Sequence, residues 1–330
     1  MTAIAQDREK QNPVQWIKKH SSTVASLGGL VFCVIFFTIG TGMKGESIWS
    51  GDKLSTLIGD VIVTALMAVG AVFIYSLGNM DVSIGRQVGL YSTMLVLIGN
   101  ATGSLLPGIL ACIVVAVIIG IINGAAGELL HMYSVISSVV FMMVISGITT
   151  IIYSNVGSKN IILSGVDLSF FRSPVNMVIV LVIEYLVIGY FFYFTKYGKY
   201  ARAIGANQTA AAQSGVNIIK YRVIPYIFLA FCLVTASLFQ MGYTGAASDA
   251  TGTGFEMNVM VSLILGGMPL KGGMKSRLSC AVIGALTFSL LAVGLPIIGV
   301  PTRMTFMIKA IIFLVVVLIT CRQKSGPLPR

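Results

Sequence analysis

Asp81, with Asn79 and Ser83 on either side of it, sits in a glycine-bearing polar break between two apolar runs of this sequence. A carboxylate in hydrocarbon is costly unless it is paired or faces water, so a membrane-embedded charge marks a functional site by default. Two readings of Asp81 follow. In one, a helix breaks here and its freed backbone groups and polar side chains line a pathway. In the other, Asp81 caps the helix that follows. A second glycine-bearing break, Gly252-Thr-Gly-Phe-Glu-Met-Asn258, sits in the corresponding place of the other half of the chain and favours the pathway. The expected pathway residues are therefore Asn79, Asp81, Ser83, Glu256 and Asn258. Glu184 and Lys309 also fall inside apolar runs and are expected to form an ion pair.

Other motifs carry less chemistry. Tyr190-Phe-Phe-Tyr-Phe194 reads as an interfacial aromatic belt. Gly120, Gly124 and Gly127 read as close helix packing, and His131 beside Glu128 as a solvated histidine. There is no GxxxxGK[ST] phosphate loop, no HExxH and no GxSxG elbow. The five cysteines, Cys33, Cys112, Cys232, Cys280 and Cys321, lack CxxC spacing, which argues against a metal site. No catalytic or metal-ligating set is expected, and energy for any transport must come from a partner or an ion gradient. An aspartyl intramembrane hydrolase using Asp60 and Asp81 is disfavoured, because Leu57-Ile-Gly-Asp60 lacks the first glycine of GxGD.

The elements that must position these residues are apolar spans. Of 330 residues, 56% are hydrophobic and only 10% charged, against roughly 25% charged in soluble domains. Ten apolar runs can be read: 24–41, 57–77, 84–98, 105–128, 133–153, 175–194, 223–243, 259–270, 278–293 and 304–321. Most approach the ~20 residues that cross ~30 Å of hydrocarbon as a helix. The runs are continuous rather than alternating, which favours helices over a barrel. The fold class expected is an all-α integral membrane protein. It has a segment 1–23 at the N-terminus, too polar for a cleaved signal peptide, a single transmembrane domain over 24–321, and a tail 322–330.

Cations give the orientation. With the N-terminus in the cytoplasm, that side holds Arg8, Lys10, Lys18, Lys19, Arg86, Lys196, Lys199, Arg202, Lys220, Arg222, Lys271, Lys275, Arg277, Arg322, Lys324 and Arg330. The outer side holds Lys44, Lys53, Lys159, Arg172 and Arg303. Sixteen against five places both termini in the cytoplasm and assigns the net charge of +11 to membrane sidedness rather than nucleic acid. Five plus five spans also permits an inverted repeat, with the short third and eighth runs in matching places. The longest polar interruption, 195–222, carries five cations and no carboxylate, and its alanine-rich stretch 201–215 is expected to form a short helix.

Three stretches together resemble the permease family of ABC importers for ribose, galactose and related sugars. They are Gly78-Asn-Met-Asp-Val-Ser-Ile-Gly-Arg-Gln-Val-Gly-Leu90, Gly198-Lys-Tyr-Ala-Arg-Ala-Ile-Gly-Ala-Asn-Gln-Thr-Ala-Ala-Ala-Gln-Ser-Gly215, and the stretch from Gly254 to Gly273. The first is especially similar to galactoside permeases. Val82 and Met268-Pro269 depart from the family pattern. The resemblance implies a cytoplasmic ATPase carrying the ATP and magnesium, a second permease copy as a homodimer, an extracytoplasmic sugar-binding protein, and residence among the lipids of a bacterial inner membrane. It implies that 195–222 is the coupling loop against the ATPase, with Gly198, Arg202, Gly205, Asn207 and Gly215 as its site residues. The chain itself would be no enzyme and hold no cofactor. Alternatives are an ABC permease for nucleosides or branched-chain amino acids, or an ion-coupled secondary transporter.

Overall fold

A computed structural model describes residues 21–45 and 47–321. The chain through His20 and the tail from Arg322 lie outside the described residues. A helix coincides with each of the ten apolar runs. These are α1 (Ser21–Gly42), α2 (Gly51–Ser76), α3 (Ile84–Thr102), α4 (Leu106–Leu129), α5 (Ser134–Val156), α7 (Pro174–Phe194), α10 (Ile218–Thr244), α11 (Phe255–Leu265), α12 (Ser279–Ile297) and α13 (Thr302–Cys321). Between them lie α6 (Ser169–Arg172), α8 (Lys196–Ala206), α9 (Gln208–Gln213) and two three-residue strands, β1 (Asn160–Ile162) and β2 (Ala246–Ser248), which pair antiparallel. Among the described residues, seven helices are long and apolar enough to cross a membrane: α1, α2, α4, α5, α7, α10 and α12. In hydrocarbon only a helix satisfies its own backbone, which is why each uninterrupted apolar run coils.

The centre of the molecule is α2. From Val61 to Ser76 every residue is buried, the mark of a helix apolar on all sides and enclosed by others. Its small residues allow that enclosure. A Cβ on Gly70 would come within 2.7 Å of the Cys232 Cβ on α10, so these helices meet nearly backbone to backbone. In contrast α1, α4, α5 and α7 present rows of exposed Val, Ile, Leu and Phe, as helices at a lipid boundary do. Gly120 and Gly124 of α4 do serve close packing, against Tyr226 and Val223 of α10.

Two expectations need correction. The third run is not a short helix, since α3 extends to 19 residues. The helix goes beyond the apolar run only at its C-terminal end, through Gly99, Asn100, Ala101 and Thr102, which are small or polar. Of the two, α11 alone is short, at 11 residues or about 16 Å, half of what spans the hydrocarbon. The stretch 201–215 is not one helix. Asn207 leaves helical geometry (φ −161°, ψ 105°) and its side chain accepts from the Ala210 N–H, ending α8 and capping α9.

Candidate functional site

The break after α2 turns at Gly78 (φ 77°) and threads its polar residues inward. Asp81 is 3% exposed and Ser83 fully buried. The Asp81 Oδ1 accepts from the Ser83 N–H (2.8 Å) and hydroxyl (2.6 Å), and Oδ2 accepts from the Asn123 amide of α4 (3.1 Å). Gln87 donates to the Ser83 hydroxyl (2.8 Å), and Tyr91 donates to Gln87 (3.0 Å). From α5, Ser138 accepts from the Val82 N–H and Ser134 donates to the Met80 carbonyl. Asp81 does not cap α3, whose N-cap is Ser83 without a side-chain capping bond; it accepts from the Ser83 N–H just ahead of that helix and, through Asn123, ties the turn to α4. In this conformation Asp81 and Ser83 are enclosed. Asn79 alone of the three borders open space.

The second break packs onto the start of α3. An added Cβ on Gly85 would overlap the Gly252 carbonyl oxygen and the Glu256 carboxyl, and one on Gly89 would overlap the Thr251 carbonyl oxygen. Arg86 donates to the Asp249 carbonyl (2.9 Å). The glycines at 85 and 89, one helical turn apart, therefore form the face on which residues 249–256 lie. Glu256 accepts from the Gly254 N–H at the start of α11 (3.2 Å), and its other oxygen is buried without a partner. Asn258 lies half-buried one turn further on.

The segment 195–222 is seated against the membrane helices through its small residues. Gly198 lies on the Phe192 carbonyl, and Gly205 on the Ser76 carbonyl at the end of α2. Arg202 donates to the Gly198 and Phe192 carbonyls and stacks 5.0 Å over the Phe192 ring. The Gly273 N–H donates to the same Ser76 carbonyl (2.8 Å), and Gly78 abuts the Lys271 carbonyl. The glycine of each of the three family-like stretches thus meets the others at one place, the C-terminal end of α2. A polar groove of about 750 Å³ opens beside this junction, lined in part by Asn79, His131, Asn207, Gln208 and Lys271. Arg222 ion-pairs with Glu128 and donates to Gln208, tying α9 and α10 to the end of α4. Gly215 is exposed with a positive φ of 82° and open space around it.

The expected Glu184–Lys309 pair does not form. Glu184 on α7 accepts from the Thr235 hydroxyl of α10, and its other oxygen has no partner. Lys309 on α13 lies 4.6 Å over the Phe288 ring, and the carboxylate acting on it is Asp60 of α2. Opposite charges read along a sequence carry no information about which helices are neighbours. The aromatic run 190–194 divides its work: Tyr190 and Phe194 are exposed, while Phe192 is fully buried against Phe73. Among the described residues no cluster of His, Cys, Asp and Glu could hold a metal ion. Asn123, the Asp81 partner, stands in the sequence only as a lone amide in an apolar run.

Comparison with known proteins matches residues 53–317 to the family described as branched-chain amino acid transport system / permease component. The chain is 26% identical over 316 residues to the ribose import permease protein RbsC of Escherichia coli, covering 94% of this chain and 95% of that one. It is 26% identical over 323 residues to the galactose/methyl galactoside import permease protein MglC of Salmonella typhimurium, with 91% and 93% covered. It is 24% identical over 334 residues to the fructose import permease protein FruG of Bifidobacterium longum, with 97% and 96% covered. No solved structure matches. With a family match over most of its length, this multi-pass membrane chain belongs to the branched-chain amino acid transport system / permease component family.

Proposed function

We propose that this chain is the transmembrane subunit of an ATP-driven importer that carries a monosaccharide delivered by an extracytoplasmic binding protein. Two copies work with a pair of cytoplasmic ATPases, which hold the ATP and magnesium, so the chain itself catalyses nothing. All ten helices belong to the membrane unit, arranged as five plus five in inverted repeat, with both termini cytoplasmic in a bacterial inner membrane. The observation that carries this reading is the junction at Ser76, where Gly205 of the cationic segment lies against the backbone of the first break and Gly273 bonds to the same carbonyl. A push on 195–222 is thereby delivered to the end of the central helix and to the break holding Asn79, Asp81 and Ser83. Glu256 and Asn258, against α3, move with that break and gate the pathway. The relatives that import ribose, galactose and fructose support a sugar as the cargo.

Reconstitution of the chain with its ATPase and binding protein in proteoliposomes tests this. Uptake of ribose, galactose or fructose that requires ATP and both partners is expected. Uptake driven by a proton or sodium gradient without the ATPase would make it a secondary transporter. ATP-dependent uptake of nucleosides or branched-chain amino acids alone would move it to another branch of the family.

A further inference from the structure

A cavity of about 290 Å³ lies far from the Ser76 junction, at the other end of the central helices. Thr56, Asp60 and Thr64 of α2 line one wall, and Gln240, Tyr243 and Thr244 of α10 the opposite wall. Spacing of four puts the first three on one face of α2, and spacing of three and four does the same for α10. Gly59, between Thr56 and Asp60, leaves room that the Tyr243 ring approaches at 3.5 Å. Phe255, the first residue of the short α11, adds an aromatic wall. Asp60 is in the lining, but its Oδ2 is buried beside the Ser289 hydroxyl, which lies behind the lining, rather than open to the cavity.

The chemistry of the lining narrows what the cavity can hold. Lys309 offsets the charge of Asp60 but is not part of the lining, so the cavity offers no surplus charge to a cation. Nor does any cation line it for the carboxylate of an amino acid. What remains is a carboxylate, an amide and hydroxyls facing an aromatic ring, with Val63, Ala292 and Val293 completing a wall that is more apolar than polar. Such a set accepts from and donates to several hydroxyls while packing an apolar C–H face. The volume falls at the small end of the ~300–1,000 Å³ usual for ligand sites. We infer that this cavity is a monosaccharide-binding station within a single permease subunit, with Asp60 and Gln240 gripping sugar hydroxyls and Phe255 against the ring. This rests on the sugar-importer reading above and goes beyond it in placing the cargo in one chain.

The test is protection of a cysteine at the cavity mouth. In full-length Thr56→Cys, the rate of modification by a small water-soluble methanethiosulfonate is measured with ribose, galactose or fructose, and with glycerol at equal osmolarity. At a sugar concentration ten times its Kd, occupancy predicts slowing of about tenfold by at least one sugar and none by glycerol. Asp60→Asn or Gln240→Ala in the same background should abolish the protection. These lie on different helices, so misfolding of one leaves the other informative. No protection by any sugar, equal protection by glycerol, or protection that survives both substitutions overturns the station, provided the assembled transporter imports one of the three sugars. If the assembled transporter imports none of them, the sugar-importer reading itself has failed, and this inference with it.

Discussion

Asp81 shows how a single carboxylate can be both buried and structural. Each of its oxygens has a donor, two from Ser83 and one from Asn123, so its burial is offset by charge-assisted hydrogen bonds rather than by a countercharge. Removing it leaves those donors facing apolar surroundings. Each orphaned buried group costs about 1–3 kcal/mol. Asp81→Ala should therefore lower the thermal unfolding midpoint of the detergent-purified permease markedly. Asp81→Asn should lower it less, because its amide oxygen still accepts from Ser83 and the Asn123 amide can rotate to match. Equal midpoints for the two variants would show that the carboxylate does not hold the turn ahead of α3. Gly85 acts through absence of a side chain. With the Gly252 carbonyl where a Cβ would stand, Gly85→Val should separate α3 from residues 249–256 and abolish uptake while the protein still inserts.

At the scale of elements, the helices were legible and their meeting points were not. An uninterrupted apolar run has to coil in hydrocarbon, so all ten runs reappear as helices within a few residues. Turns were legible where one residue sets the geometry, as Gly78 does. Asn207 could have been read as a cap from its short polar side chain, but the alanines around it masked the interruption. The 290 Å³ cavity escaped because it is shared between helices far apart in sequence. Thr56, Asp60 and Thr64 looked like scattered polar residues, although their spacing of four marks one helix face. The segment 195–222 shows a similar limit: its glycines suggested close approach to a partner, whereas Gly198 and Gly205 approach the permease's own backbone. On the function proposed above, force from this segment would pass through packing at Ser76 together with the Arg222–Glu128 ion pair, whose side chains are only 11% and 23% exposed. Glu128→Arg should reduce sugar uptake per ATP hydrolysed several-fold, and adding Arg222→Glu should restore most of it. Failure of the double swap to recover coupling would assign the transmission to Ser76 alone.

The whole molecule is organised by two ends separated by the length of α10, 27 residues or about 40 Å. At one end Gly78, Gly205 and Gly272 crowd the last turn of α2, surrounded by Lys196, Lys199, Lys271, Lys275 and Arg277. At the other, β1 and β2 pair across the loops that follow α5 and α10, near Lys159 and Arg172. Cations gather at the first end, which the orientation proposed above puts in the cytoplasm. The proposed ten-span arrangement needs α3, α11 and α13 to count as crossings too, although none of them is among the seven long apolar helices of the described residues. Single cysteines at Lys159 and Lys275, both exposed, test this arrangement in intact cells. An impermeant maleimide should label Lys159→Cys from outside, and Lys275→Cys only after permeabilisation. The reverse pattern would invert the molecule and separate the Ser76 junction from any cytoplasmic ATPase. Labelling of both from outside would mean that an even number of crossings separates 159 from 275, and the five-plus-five arrangement would fall while the cavity at Asp60 would stand.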